Sequence, residues 1–447
     1  MGGGSFYPID VNGTSGALTI QGVTFEPGED NPTIRITGTD PNHLVSVKDS
    51  DLGWTRGTQQ LLELESVPNG SVSNITVSAP FALQDTSSSR TAFLIENSDI
   101  DFDTINVTTP NTEGGTTTIF NIDGSDADIE VRSLMVDGIG DDYQVLGFDI
   151  DDIGTGTISI EDSMIRANRG LEAHDVASSI VLRNVDIFRF AANSNMVADG
   201  VFYSNVADAL LSDVRVNHTG TYSSSRALEF ARGTHAVLKQ VYAKASDTTS
   251  TNYGLFCDAN FHTTNTILDI ENSFLAGGDS SGGSSVGLRA RECDVTLSHS
   301  TVLGGEASSL AHGIEIINDP PQLLEINNSI VAAGDGGNSD TDAVSGFGSL
   351  INSAQNSHFS NSTATSTTPA GSASEWVDLD NPQVANEFGN IWGGFLQCTN
   401  PAAAEPYILL PGSVCVNAAA PSSTTNDIEG RARPQGGAPD MGCYELQ

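Results

Sequence analysis

A short pattern recurs at near-regular intervals from residue 129 onward, and it restricts the chain to one kind of architecture. Apolar residues alternate with variable ones, and each run ends on a small polar residue. It reads Ile129-Glu-Val-Arg-Ser133, Ile158-Ser-Ile-Glu-Asp162, Ile180-Val-Leu-Arg-Asn184 and Ala209-Leu-Leu-Ser-Asp213. It continues as Ala236-Val-Leu-Lys-Gln240, Leu268-Asp-Ile-Glu-Asn272, Val295-Thr-Leu-Ser-His299 and Leu324-Glu-Ile-Asn-Asn328. Ser133 to Asn328 is 195 residues in seven steps, a period of about 28 that falls among repeat arrays. Alternation with a step of two makes each run a strand with one buried face. Gly, Thr, Ser, Asn and Asp interrupt every stretch that would otherwise pass for a helix.

A second strand lies between successive copies: Gly147-Phe-Asp-Ile-Asp151, Gly170-Leu-Glu-Ala-His174, Gly200-Val-Phe-Tyr-Ser204 and Ala227-Leu-Glu-Phe-Ala231. Gly254-Leu-Phe-Cys-Asp258, Gly287-Leu-Arg-Ala-Arg291 and Gly313-Ile-Glu-Ile-Ile317 complete the series. Two or three short strands per repeat, with no helix, describe one coil of a β-solenoid. Fainter pulses at Ala17-Leu-Thr-Ile20 and Ile75-Thr-Val77 extend it towards the N-terminus. Stacked coils set like positions ~4.8 Å apart. The column at 133, 162, 184, 213, 240, 272, 299 and 328 is therefore read as a coil corner whose polar groups satisfy turn backbone, not as a catalytic row.

The chain is expected to divide into a solenoid at 1–333, loop-rich last coils at 334–392 and an irregular cap over the last coil at 393–447. Asp335-Gly-Gly-Asn-Ser-Asp-Thr-Asp342 and Ser360–Ser374 are loop composition. Fifty-seven acids against 18 Lys+Arg leave 39 net negative charges, a field that repels phosphate backbones and argues against nucleic acid as a partner. No apolar run approaches the ~20 residues of a membrane helix. Five cysteines leave alternatives open. Cys257 and Cys293 read as free thiols, Cys398 and Cys415 as a bridge across a Pro/Ala-rich loop, or all as unpaired small hydrophobes.

The repeats resemble those of right-handed parallel β-helix proteins of bacterial surfaces and polysaccharide-active enzymes. Near the C-terminus, Asp427-Ile-Glu-Gly-Arg-Ala-Arg433 and Asp440-Met-Gly-Cys-Tyr-Glu445 resemble the ending of choice-of-anchor Q β-helix proteins, with Cys443 where a small alanine is usual. The resemblance implies an all-β, right-handed, single-stranded parallel β-helix, exported to the extracellular space or cell surface. The signal and the anchor would lie outside this sequence. The expected role is contact with polysaccharide or another cell-surface glycan, or with neighbouring cells, as an adhesin or structural protein. A second reading is a polysaccharide lyase, and a third a subunit that stacks end to end with copies of itself.

Alternation places one outward column at Asn121, Asp149, Glu172, Phe202, Glu229, Phe256, Arg289 and Glu315. A neighbouring column holds Asp123, Asp151, His174, Ser204, Ala231, Asp258, Arg291 and Ile317. Asp123, Asp149, Asp151 and Glu172 would crowd together, and a hard cation such as Ca2+ would relieve their repulsion; the plainer reading is a solvated acidic face. Exposed rings at Phe202 and Phe256, with Tyr203 and Tyr222 nearby and Glu229 and Arg289 beside them, suit sugar rings, which stack while their hydroxyls bond outward. Residues 166–244 carry nine of the 18 cations and are net +2, leaving −41 elsewhere. This belt is where β-elimination would find a cation for a uronate and a base for its C5 proton. Arg226, Arg232, Lys239 and His174 are the candidates. No phosphate-binding glycine loop, Cys/His zinc spacing or Gly-x-Ser-x-Gly elbow occurs.

Overall fold

The computed structural model describes residues 9–446 apart from 14, 26–33, 55–59, 79–88, 110–115, 139–143, 192–196, 260–264, 318–322, 335–341, 347–350, 356, 361–376, 379–390, 393–397 and 399–407. Among the described residues there is no helix. The chain separates into two compact units, Met1–Asn193 with Gly200–Ala209, and Ser194–Asp199 with Leu210–Gln447.

In the first unit each strand pairs in parallel with the equivalent strand one coil further on. One ladder runs through Ile9–Asn12, Ile34–Thr37, Gln60–Glu65, Arg90–Glu96, Thr116–Asp123, Gln144–Asp151 and the start of Arg169–Ala191. A second runs through Leu18–Gln21, Val45–Gly53, Gly70–Ser78, Asp99–Thr108, Asp128–Asp137, Thr157–Arg166 and the remainder of Arg169–Ala191. Consecutive strands therefore go to different ladders, which defines a parallel β-solenoid. The second unit repeats the scheme with three ladders. The first links the end of Val197–Ala231 to Asp247–Asp258, Ser284–Arg291, Leu310–Ile317 and Val344–Gly346. The second links His235–Lys239, Thr266–Glu271, Cys293–Ser298 and Leu324–Asn327. The third links Tyr242–Lys244, Phe274–Ala276, Thr301–Leu303 and Ile330–Ala332. Strands at Ile351–Gln355 and His358–Ser360 extend these ladders past residue 334, while most of the two loop-rich stretches there lies outside the described residues.

Coils turn on residues with left-handed backbone. Asp49, Asn74, Thr104, Ser133, Asp162 and Asn184 in the first unit have φ between 48° and 57°. Asp213, Gln240, Asn272, His299 and Asn328 in the second have φ between 46° and 55°. This is the polar column of the repeat. At this corner one residue per coil enters a region that costs most L-residues about 1–2 kcal/mol, and among them Asn and Asp enter it most readily. Along the column side chains bond coil to coil: Asn74 Nδ2 donates to Asp49 Oδ1 at 2.8 Å and Asn184 Nδ2 to Asp162 Oδ1 at 2.6 Å. The next residue is often a buried serine. The Ser273, Ser300 and Ser329 hydroxyls donate back to the carbonyl two residues earlier, at 2.8–3.0 Å. Each also accepts the backbone N–H of the preceding coil, at 3.1–3.2 Å, so a kink that would leave buried N–H groups unpaired leaves none at these steps.

Inward side chains stack in the same register. Phe93, Phe120 and Phe148 are fully buried, with ring centroids 4.8 and 4.7 Å apart and Phe102 edge-on to Phe120 at 5.1 Å. Burial of each ring contributes about 1.5–3 kcal/mol. The glycine opening the first-ladder strand has a steric reason: a Cβ on Gly147 would lie 2.3 Å from the carbonyl oxygen of Gly170 on the next coil.

Cys257 and Cys293 are not free thiols but a disulfide between buried positions of a first-ladder and a second-ladder strand, Cα–Cα 6.4 Å; Cys398 and Cys415 form a second, Cα–Cα 5.3 Å. Cys443 is free and buried. The described part of the C-terminal segment is an arm lying along the side of the second unit. Leu409, Cys398, Cys415, Ala419, Met441, Cys443 and Tyr444 form one apolar cluster with Tyr242, Phe274, Leu303 and Ile330 of the third ladder. The arm also reads the corner column: Gln240 Nε2 donates to the Asp427 carbonyl at 2.8 Å, Asn272 Nδ2 to that of Asn426, and Asn328 Oδ1 accepts the Ala420 N–H at 2.8 Å.

The C-terminal motif is what holds the arm in shape. Asp427 is fully buried and accepts the N–H groups of Glu429, Arg431 and Glu445 at 2.7–3.0 Å. Glu445 accepts those of Gln435 and Asp440 at 2.8 and 2.9 Å. Arg433 donates to the carbonyls of Asp440 and Gly442 at 2.9 and 2.8 Å and lies 3.5 Å from Glu445. Gly442 is at φ 84°, and a Cβ there would meet Ile330 and Thr301 at 2.8 Å.

Candidate functional site

The outward columns fall in the register read from the repeat from Asn121 to Glu172 and Asp123 to His174 in the first unit, and from Glu229 to Glu315 and Ala231 to Ile317 in the second. In the first unit Asn121, Asp149 and Glu172 are consecutive rung partners, as are Glu65, Glu96, Asp123, Asp151 and His174. Stacked carboxylates repel and burial disfavours their charge. Asp149 and Asp151 are both held above the usual aspartate range, chiefly by burial; Asp123 adds to both and Asp152 to Asp151, while the nearby His174 works against the shift. The structure thus brings Asp123, Asp149 and Asp151 together. Glu172 stands beside Asp149 but is ion-paired to Arg169. Among the described residues a different set clusters more tightly: oxygens of Asp151, Asp152 and Asp175 lie within 4.8 Å of one another, all three residues exposed. Asp152 and Asp175 are left-handed corner residues, which explains why strand alternation missed them.

In the second unit Glu229, Phe256, Arg289 and Glu315 are successive rung partners, and Arg226 pairs with Tyr253 beside them. The face is a lattice of guanidinium–carboxylate pairs laid over aromatic rings. Arg226 is ion-paired to Glu229 and its guanidinium sits 4.7 Å from the Phe256 ring centroid. Arg289 is ion-paired with Glu315 at 3.2 Å, donates to the Tyr253 hydroxyl, and lies 5.2 and 5.8 Å from the Tyr253 and Phe256 centroids. Tyr253 and Phe256 stack on each other at 5.2 Å. On the next column Arg291 bonds Asp258 at 3.3 Å. Glu229 is buried deeply enough that its carboxyl is pushed well above the usual glutamate range; Arg226 offsets part of that, and Asp199 adds to it.

The rings are not open as expected from the sequence. Phe256 is 7% exposed, because two guanidiniums cover it. The flat groups offered to solvent are the guanidinium planes, with 28% and 22% of the Arg226 and Arg289 side chains exposed. Tyr203 is fully buried, since alternation turns it inward from Phe202. Phe202 belongs to the first unit, half-buried and edge-on to the His174 ring at 5.1 Å. The Tyr222 side chain lies outside the described residues. Tyr253 and Asp199 were not foreseen, although the signal was present: both stand immediately before the glycine that opens a first-ladder strand, as Arg169 does.

The four catalytic candidates do not form one group. Arg226 is bound to Glu229, and Arg232 is exposed at a corner with its N–H on the Asp258 carbonyl. Lys239 is on the second ladder, 4.0 Å from Glu271, and His174 is on the first unit's acidic face. Part of the cation-rich belt is likewise compensated across coils. Arg166 pairs with Asp137 and Arg183 with Glu161, acids outside the 166–244 window, and so does Lys239 with Glu271.

No family model matches the sequence, and no curated protein matches it. Among solved structures, the crystal structure of pectate lyase Pel9A is similar at a TM-score of 0.37 and 14% identity, over 85% of this chain and 89% of that one.

Proposed function

We propose that the protein is an exported β-solenoid that binds polysaccharide, with the Arg226–Glu315 face of the second unit as its contact surface. The observation that carries this is the repetition of guanidinium–carboxylate pairs over rings on consecutive rungs. Guanidinium forks and carboxylates side by side present donors and acceptors in fixed positions, and fixed positions lower the ordering cost of binding a hydroxyl-rich chain. Because Arg226 and Arg289 each already face an acid, this face favours neutral glycans over polyuronates. Two disulfides support export, since they persist in oxidising compartments.

The test is co-sedimentation with insoluble neutral polysaccharides, alongside alginate, pectin and chondroitin monitored for unsaturated uronate absorbance with and without Ca2+. Retention on a neutral glycan, weakened by Arg289→Ala, is the expected result. Absorbance rising on any polyuronate would move the assignment to the lyase. Failure to bind any glycan would remove the binding reading.

A further inference from the structure

The chain contains two Asp–Pro bonds, Asp40–Pro41 and Asp319–Pro320. Such a bond breaks more readily than other peptide bonds. The aspartate carboxylate can close a five-membered ring on its own backbone carbonyl, and the proline nitrogen, a tertiary amide, leaves once it is protonated. Proline has no N–H, so the competing attack of backbone nitrogen on the side chain is closed. Asp319–Pro320 lies outside the described residues. Asp40–Pro41 is described, and its neighbours supply the groups this reaction uses.

Pro41 and Asn42 sit at the tip of a turn between the first-ladder strand Ile34–Thr37 and the second-ladder strand Val45–Gly53. The His43 N–H closes that turn by donating to the Asp40 carbonyl at 3.0 Å. A donor is therefore already placed on the oxygen where charge would develop. Oδ1 of the Asp40 carboxylate accepts the Asn42 backbone N–H at 2.9 Å and Asn42 Nδ2 at 2.8 Å. Those two bonds hold the carboxyl below the usual aspartate range, ionised and able to attack. The other oxygen, Oδ2, lies 3.4 Å from His43 Nδ1, and both side chains are partly exposed. An imidazole thus stands at the reacting carboxylate, with water in reach.

We propose that this turn is a self-cleavage site, where Asp40 cuts the chain on its own C-terminal side with His43 as proton donor. A carboxylate oxygen bonds to the Asp40 carbonyl carbon, and the C–N bond to Pro41 breaks. The imidazolium proton passes to the leaving nitrogen, which becomes the amine of a new N-terminus. The cyclic anhydride left on Asp40 then adds water and opens to two carboxylates. Of the two protons released, one returns to His43 and the other goes to the new amine. The strands on either side of the cut stay paired, Ile34–Thr37 with Gln60–Glu65 and Val45–Gly53 with Gly70–Ser78. The product is a nicked coil that still holds together.

Mass spectrometry of the full chain, held at the mildly acidic pH where histidines charge and aspartates stay ionised, tests this. Denatured samples should show complementary fragments ending at Asp40 and beginning at Pro41, while native size-exclusion stays unchanged. His43→Gln keeps the backbone donor but removes the proton donor, and should slow cutting on the order of a hundredfold. Asp40→Asn should abolish it, and hydroxylamine should trap the anhydride as a hydroxamate on Asp40. The bond at 319–320 is the internal comparator: cutting at 40–41 should be faster in the folded chain and no faster in urea. The proposal is overturned by the absence of fragments, by His43→Gln cutting at the wild-type rate, or by a 40–41 advantage that survives urea.

Discussion

Replacing Arg433 by methionine should detach the C-terminal arm while leaving the coils intact. The guanidinium is fully buried and makes two bonds to carbonyls at 2.8–2.9 Å and an ion pair at 3.5 Å to an equally buried Glu445. Methionine fills similar space but leaves Glu445 charged with only the Gln435 and Asp440 N–H groups facing it. Removing one partner of a buried pair costs about 3–5 kcal/mol, so the detached state becomes roughly 150- to 4,000-fold more populated at about 1.4 kcal/mol per decade. Hydrogen exchange followed by mass spectrometry is the assay. Amides of 415–446 should lose protection by that factor, while those of the coils upstream of 209 keep theirs. Adding Glu445→Leu should recover part of the loss, because the uncompensated charge goes and the two N–H groups remain unpaired. Wild-type protection in Arg433→Met, or strictly additive losses in the double variant, would refute the reasoning, since a coupled pair must show a non-zero interaction energy.

Three further outcomes follow from residues already placed. Burial, with Arg433 nearby, depresses the His299 imidazole to about 3, below the 6.5 of the unfolded chain. The unfolded state therefore binds more protons between those values, and stability is lost as pH falls through that window. His299→Asn, the residue used at 272 and 328, should flatten the fall seen by urea denaturation between pH 7 and 4.5. Glu229 has the opposite sign. Burial raises its carboxyl from 4.5 to about 7, so the folded state binds the extra proton and stability declines as pH rises across that interval. Glu229→Gln should remove that decline, and an unchanged slope would mean the carboxylate is better solvated than its position indicates. Asn184→Val should cost about 1–2 kcal/mol by urea midpoint at constant slope, because a branched side chain resists φ near 51°. Asn184→Gly should cost less than about 1 kcal/mol.

What could be read from the sequence was whatever repeats once per coil. The corner column is chemically constrained at every coil, so Ser133 through Asn328 emerged in order, and the rung partners of Glu229 followed from counting. Outward rings were a different matter. Phe256 is covered by Arg226 from one rung and Arg289 from another, and no local pattern tells whether a long side chain folds over its neighbour. Charge compensation was hidden for a similar reason, since the partners of Arg166 and Arg183 lie one coil away. The Cys257–Cys293 bridge joins two buried positions of different strands 36 residues apart. The lateral docking of the arm depends on shape, with Gly442 fitting against Ile330, and periodicity carries no information about shape.

The arm contacts corners at Gln240, Asn272, His299 and Asn328, on consecutive coils. It therefore acts as a ruler with four graduations. Corner spacing in the first unit is as short as 22 residues, Asp162 to Asn184, and insertion or loss of a whole coil in a stack held by neighbour pairing disturbs only its two neighbours. Within the span of the arm the same event would shift every graduation past it. Lineages of such chains should vary in coil number before residue 209 and hold it constant between 240 and 328, a difference open to comparison in any set of homologous sequences.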